Sequence, residues 1–208
     1  WSLYQNDGSL NFIDFPSSVG ITNLSNGLLA HAMGAAWSDI NRDGYLDLYI
    51  CNYHGPDELV TNLLFLNNGG ASFTEISASA GVTDGFKNSF QPLFFDANMD
   101  GWPDLHILND RASYQNTFYL NNGDLTFEDQ TVLSGLGVYI DPMSNSAGDY
   151  DNDGDLDLYM SNNDFAYAQN PGGNFLFNNN GTGIFSQVPQ DTATALWIFS
   201  WGSQWIDQ

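Results

Sequence analysis

Three stretches of this chain place oxygen-bearing side chains at positions 1, 3, 5 and 9 of a short loop, with glycine at position 6. The sets are Asp39, Asn41, Asp43 and Asp47 around Gly44; Asp96, Asn98, Asp100 and Asp104 around Gly101; and Asp149, Asp151, Asp153 and Asp157 around Gly154. Like charges crowded in this way repel, and a cation is the partner that relieves them. Alternate residues of a tight loop point inward together, and the glycine permits the sharp turn that brings position 9 back. The main-chain carbonyl at position 7 (Tyr45, Trp102 or Asp155) adds a further oxygen. Hard oxygen donors in a flexible cage with bonds of ~2.3–2.6 Å are the chemistry of calcium. Magnesium demands stricter octahedral geometry, and zinc favours the His and Cys that these loops lack. An EF-hand shares the first nine positions but needs a bidentate Glu at position 12 and flanking helices. Here position 12 is Ile50, Ile107 or Met160, within strand-like alternation, so the EF-hand fails in all three copies.

The elements that hold these loops recur with them. Successive copies begin at Asp39, Asp96 and Asp149, spaced by 57 and 53 residues, and Asp207 stands 58 further on, where a fourth, incomplete site would begin. A second landmark keeps step: NDGSLNF, NNGGASF, NNGDLTF and NNGTGIF each place Gly four residues before Phe, as hairpin turns do, because Asn and Gly accept the positive φ of tight connections. Between the landmarks, LDLYICN, PDLHILN and LDLYMSN alternate as strands, with LLFLNN, FYLNN and LFNNN as their successors, and no segment shows a sustained helical period. Each unit then reads as four short strands: one before the aspartate loop, one after it, and a hairpin pair around the Asn-Gly turn. About fifty residues carrying four strands is the size of a β-propeller blade. The expectation is an all-β propeller segment over 1–208: the end of one blade and a linker (1–32), blades at 33–89, 90–142 and 143–197, and the first strand of another at 198–208. Three complete repeats with two partial ones read as part of a larger ring.

Composition narrows the partners. Twenty-five acidic residues face three basic ones, Arg42, Lys87 and Arg111, for a formal charge of -22, so nucleic acid and anionic membranes would be repelled. A hydrophobic share of 42% and an aromatic share of 15% argue for a folded chain, and no apolar run approaches the ~20 residues of a spanning helix. Cys51 stands alone, which excludes an internal disulfide and a multi-cysteine zinc site.

At this point the residues resemble a known family. D-x-[DN]-x-D-G-x-x-D-L followed by a strand is similar to the calcium-binding FG-GAP/VCBS repeat, the blade unit of integrin α-subunit propellers. The linked pattern of AWSDINRDGYLDLYICN and LLFLNNGGASFTEISASAGV resembles the ASPIC/UnbV and cartilage-acidic-protein group. The resemblance implies a propeller, commonly seven-bladed, that is extracellular (secreted, cell-surface or periplasmic) and binds calcium; it implies no reaction. Asn at position 3 of two loops lowers their ligand charge, so weaker binding is expected there than at the third.

Other candidates have plainer roles. His106 fills the slot of Tyr49 and Tyr159 in the sister repeats, which points to packing; His31 and His54 have no catalytic partner by spacing, and HExxH, GxSxG and a phosphate-binding glycine loop are all absent. No catalytic residue is assigned, and the chain is expected not to be an enzyme. Asn23 and Asn180 head N-x-S/T sequons. In an up-and-down blade the aspartate loops and Asn-Gly turns share one rim. The longer connections on the other rim carry Tyr53, Lys87, Arg111, Tyr114, Phe165 and Tyr167 as candidate partner-binding residues. The expected function is a protein-binding or adhesion scaffold with an extracellular protein or glycan ligand. The alternatives are a lectin, in which Tyr114 and Tyr167 stack on sugars, and an accessory domain of a secreted polysaccharide-degrading enzyme.

Overall fold

The structure, a computed structural model, describes residues 3–14, 19–21, 24–25, 28–29, 31–53, 59–111, 113–163, 173–189 and 202–204. The chain opens with a hairpin of β1 (Tyr4–Asn6) and β2 (Phe12–Asp14), followed by the two-residue strands β3 (Leu24–Ser25) and β4 (Leu28–Leu29), which pair with each other. Three four-stranded antiparallel sheets then follow, each built from consecutive strands. The first holds β5 (Ala32–Ser38), β6 (Asp47–Asn52), β7 (Leu63–Asn67) and β8 (Phe73–Glu75). After the short helix α1 (Ser77–Ala80), the second holds β9 (Ser89–Phe95), β10 (Asp104–Asn109), β11 (Thr117–Asn121) and β12 (Phe127–Asp129). Beyond α2 (Thr131–Ser134), the third holds β13 (Pro142–Gly148), β14 (Asp157–Asn162), β15 (Phe175–Asn179) and β16 (Phe185–Gln187). The first strands neighbour one another, β5 beside β9 and β9 beside β13, so the sheets stand as successive propeller blades.

Strand alternation explains where the core lies. In the first two blades the second strand is covered on both faces, and its residues alternate between two interfaces. Leu48 and Ile50 join Phe65 and Phe73 on the leading face of the first blade, while Tyr49 and Cys51 turn into the cluster shared with Leu105, Ile107 and Tyr119 of the second. Leu108, Phe95 and Phe118 meet Leu158, Met160, Phe175 and Phe177 between the second and third. The apolar cores are therefore interfaces between blades, each buried Leu or Phe side chain contributing roughly 1.5–3 kcal/mol.

Two features depart from the sequence reading. The four-residue helices α1 and α2 are too short to show a helical period. They are anchored through side chains, because Leu64 N donates to Ser77 Oγ (2.6 Å) and Phe118 N to Thr131 Oγ1 (3.0 Å). Gly135 ends α2 at φ +81, and a Cβ there would lie 2.5 Å from Phe185 O, so the helix closes against the next blade only with glycine. Secondly, Ala32, Ser89 and Pro142, assigned from sequence to the preceding unit, open the first strands. Ladder irregularities at Ala32/Gly34, Leu108/Asn109 and Pro142/Asn145 carry the pairing one step beyond the regular alternation. His54, Phe165, Tyr167, Asn23 and Asp207 lie outside the described residues, as does 198–208 apart from 202–204, where the Ser203 hydroxyl is within 3.1 Å of Ser144 and Ser146 Oγ on β13.

Candidate metal centres

Each aspartate loop joins the first and second strands of its blade, and the same local bonds shape all three. The position-1 carboxylate accepts the backbone N–H groups of positions 5 and 6: Asp43 and Gly44 on Asp39 (3.0 and 2.8 Å), Asp100 and Gly101 on Asp96 (3.1 and 2.8 Å), Asp153 and Gly154 on Asp149 (both 3.1 Å). Position 5 accepts from the N–H of position 7, which is Tyr45, Trp102 or Asp155. Left-handed backbone at position 4 (Arg42, Met99 and Asn152, φ +57 to +62) and at the glycine of position 6 (φ +86 to +96) curls the loop so that the acidic groups face one another.

Position 9 is the anchor. Asp47, Asp104 and Asp157 are fully buried, and each uses both oxygens to tie the loop to its blade. Asp47 accepts from Ile40 N and Asn67 N, Asp104 from Ala97 N and Asn121 N, and Asp157 from Tyr150 N and Asn179 N, all at 2.7–3.0 Å. A carboxylate has about four lone-pair directions, so these bonds leave room for a cation. Burial raises the pKa of all three, that of Asp104 to about 7, against the lowering effect of the N–H donors.

The loops diverge at position 3. Asn41 Nδ2 donates to Asp43 Oδ2 and Asn98 Nδ2 to Asp100 Oδ2, each at 2.9 Å, so an amide offsets part of the repulsion. Asp151 cannot donate, and it accepts instead from Asn178 Nδ2 (2.8 Å). Asp149, Asp151 and Asp153 consequently present carboxylate oxygens within 4.8 Å of one another, the one such trio among the described residues. Nearby, Asp155 is buried with Oδ1 lacking a hydrogen-bond partner, and burial followed by the charge of Asp153 raises its pKa. Among the described residues no basic side chain serves this loop: Lys87 bonds Asp84, Arg111 bonds Tyr53, and Arg42 sits 5.3 Å above the Trp102 ring. An all-oxygen donor set with uncompensated negative charge fits a hard divalent cation.

Sequence reasoning missed the asparagines that lock these loops between blades. Asn121 Nδ2 donates to Pro103 O of its own blade (3.1 Å) and to Ile40 O of the preceding one (3.0 Å); Asn179 Nδ2 does likewise to Leu156 O (3.0 Å) and Ala97 O (2.7 Å). Asn67 makes the in-blade bond to Leu46 O (2.9 Å). The signal was present as the first Asn of each N-N-G, but a turn explains that residue equally well.

Repeats of this construction identify the relatives. An FG-GAP-like repeat model matches residues 39–107 and 96–160, together more than half of the chain. The chain belongs to the FG-GAP-like repeat family. This FG-GAP chain is 27% identical over 193 residues to human cartilage acidic protein 1, covering 86% of the chain and 27% of that protein. The mouse protein is 27% identical over 167 residues, covering 76% and 24%. The Xenopus tropicalis protein is 36% identical over 75 residues, covering 36% and 11%. The FG-GAP chain thus spans about a quarter or less of the curated relatives it matches. Among solved structures, an Agrocybe aegerita lectin, studied for its recognition of non-reducing terminal N-acetylglucosamine, superimposes with a TM-score of 0.52 at 21% identity, over 90% of this chain and 46% of its own. That likeness is one of fold.

The described candidate partner residues, Tyr53, Lys87, Arg111 and Tyr114, lie on the rim opposite the aspartate loops, but not all face outward. Lys87 is turned in: its Nζ is 2.6 Å from Asp84 Oδ1 and 2.6 Å from Thr117 Oγ1, a structural ion pair rather than a free cation. Tyr53 donates its hydroxyl proton to Asp110 Oδ2 (2.6 Å) and accepts from Arg111 Nε (3.1 Å), bridging two blades. Arg111 is exposed and Tyr114 half-buried. No described helix is long and apolar enough to cross a membrane.

Proposed function

We propose that this FG-GAP chain is a calcium-binding, non-enzymatic propeller module of an extracellular protein-binding or adhesion scaffold. The observation that carries the reading is the convergence of Asp149, Asp151 and Asp153, served by no basic group among the described residues. The calcium ligands of the three loops are the side chains at positions 1, 3, 5 and 9 together with the position-7 carbonyl. Calcium holds the first two strands of each blade together and leaves the other rim for recognition. Calorimetric titration tests it. The third loop offers four side-chain carboxylates at ligand positions against three in each sister, so Asp153→Ala abolishes the tightest step while Asp43→Ala leaves it. Chelator lowers the melting temperature, since three sites at ten times Kd contribute about 4 kcal/mol to the native state. A titration without heat, together with a melting curve indifferent to chelator, overturns the reading.

One observation favours a second reading, carbohydrate recognition. Tyr4, Trp37 and Phe73 line an open hollow with the amides of Gln5 and Asn67, and rings beside amides suit a sugar. The solved lectin of like fold recognises N-acetylglucosamine. Binding on a glycan array that Trp37→Ala removes would support this reading over the scaffold.

A further inference from the structure

Three described hairpin tips carry Asn-Gly: Asn68-Gly69, Asn122-Gly123 and Asn180-Gly181. A glycine after asparagine leaves its nitrogen unhindered by a Cβ, and so exposes the side-chain amide to attack from the main chain. The three tips are alike in sequence but opposite in hydrogen bonding. Asn68 Nδ2 donates to Ser72 Oγ and Thr74 Oγ1, both at 3.0 Å, and Asn122 Nδ2 donates to Thr126 Oγ1 at 2.9 Å. In both, the nitrogen is held, and no described residue donates to Oδ1. At the third tip Asn180 Oδ1 accepts from Thr182 N (3.0 Å) and Thr182 Oγ1 (2.6 Å), while Nδ2 has no partner among the described residues. Asn180 and Thr182 are both exposed, so water reaches them.

We propose that Asn180 is a self-modification site, at which the Gly181 nitrogen displaces the side-chain amide of Asn180. The Gly181 N–H gives its proton to solvent as the nitrogen bonds to Asn180 Cγ, and negative charge develops on Oδ1. The Thr182 hydroxyl and N–H already point at that oxygen, the arrangement that stabilises an oxyanion. The Cγ–Nδ2 bond then breaks, and the nitrogen takes a proton from water and departs as ammonia. Water opens the resulting five-membered imide at either carbonyl, giving aspartate or isoaspartate, with no oxidant or reductant involved. At Asn68 and Asn122 the leaving nitrogen must first abandon its hydroxyl acceptors, and no described donor awaits the oxyanion. The product places a carboxylate in the hairpin whose Asn178 bonds Asp151 and whose Asn179 bonds Ala97 O, beside the most acidic loop of the chain.

The full chain, produced in a host that adds no N-glycan to the Asn180 sequon, is held at neutral pH and body temperature, and parallel samples are unfolded in denaturant. Peptide mapping by mass spectrometry follows amide-to-acid conversion and isoaspartate at each Asn-Gly. The unfolded rates correct for the different residues that follow glycine. In the folded protein Asn180 converts several-fold faster than Asn68 and Asn122, and its folded-to-unfolded rate ratio is the highest of the three. Thr182→Val, which keeps the main-chain donor but removes the hydroxyl, slows Asn180 in the folded state and leaves the other two unchanged. Equal folded rates at the three tips, the same rate ratio at all of them, or a Thr182→Val protein that converts as fast as the parent would each overturn the proposal.

Discussion

At the scale of single residues, His106 shows how a repeat absorbs a mismatched side chain. The sister Tyr49 is fully buried and donates its hydroxyl proton to Val82 O (2.7 Å). His106, in the same slot, instead accepts at Nδ1 from Asn145 Nδ2 (2.9 Å), which puts its proton on Nε2, where no described residue accepts it; Asn145 Oδ1 likewise has no partner among the described residues. Burial holds the imidazole neutral, with its pKa pushed down to about 3. The unfolded chain takes up a proton below pH ~6.5 that the folded chain refuses. The contribution of this residue is therefore complete above that pH and is lost as pH falls toward the folded pKa. Urea unfolding near neutrality and near pH ~5 should show the parent losing about 2 kcal/mol more than His106→Gln over that interval. Parallel losses in the two proteins would show that the imidazole is not the titrating group. Its role as packing was legible from the register with Tyr49 and Tyr159; its unpaired nitrogen was not, because the Asn145 that meets it lies 39 residues away in the next blade.

At the scale of elements, the hairpins do more than turn the chain. Asn121 and Asn179 each satisfy a carbonyl of the preceding blade, whereas Asn67 bonds only within its own blade among the described residues. Removing a partner from a buried carbonyl costs ~1–3 kcal/mol. Asn121→Ala should therefore destabilise the chain by about that amount in denaturant unfolding, and Asn67→Ala by clearly less. Equal effects would mean that the in-blade bond dominates. The strands themselves were readable because LDLYICN and its sisters alternate, and the loops because aspartate recurs at fixed offsets. What stayed hidden were contacts whose two ends lie in different repeats, and elements too short for a period. Lys87 is a case of the former: nothing in GVTDGFKNS shows that Asp84 adopts a left-handed φ of +54 and is buried beside Thr117 and Asn109 of the next blade, where it captures the ammonium.

At the scale of the whole molecule, the two rims have different chemistry, and this decides where a macromolecular partner should bind. The aspartate rim is committed. Its position-1 and position-9 carboxylates accept main-chain N–H groups, and Arg42 is stacked over Trp102 of the next blade, which itself lies on the Gly123 turn of its own blade. The opposite rim carries the longer connections, and with Lys87 withdrawn into its ion pair, Arg111 is its exposed cation among the described residues, close to Tyr53 and followed by Tyr114. Aromatic and Arg side chains are enriched at binding hot spots, and a surface Arg bond contributes little to folding. For any protein partner of the proposed scaffold, Arg111→Ala and Tyr114→Ala are expected to weaken the complex while leaving the melting temperature nearly unchanged. Arg42→Ala, on the aspartate rim, should leave affinity intact. Trp37→Ala serves as the contrasting variant, since a ligand seated in the hollow beside Tyr4 would be lost there and not at Arg111. Surface-plasmon-resonance titration of the four variants decides between the surfaces: loss of binding in Arg42→Ala alone would make the aspartate rim the recognition face, and the proposed calcium sites would then lie within the interface instead of behind it.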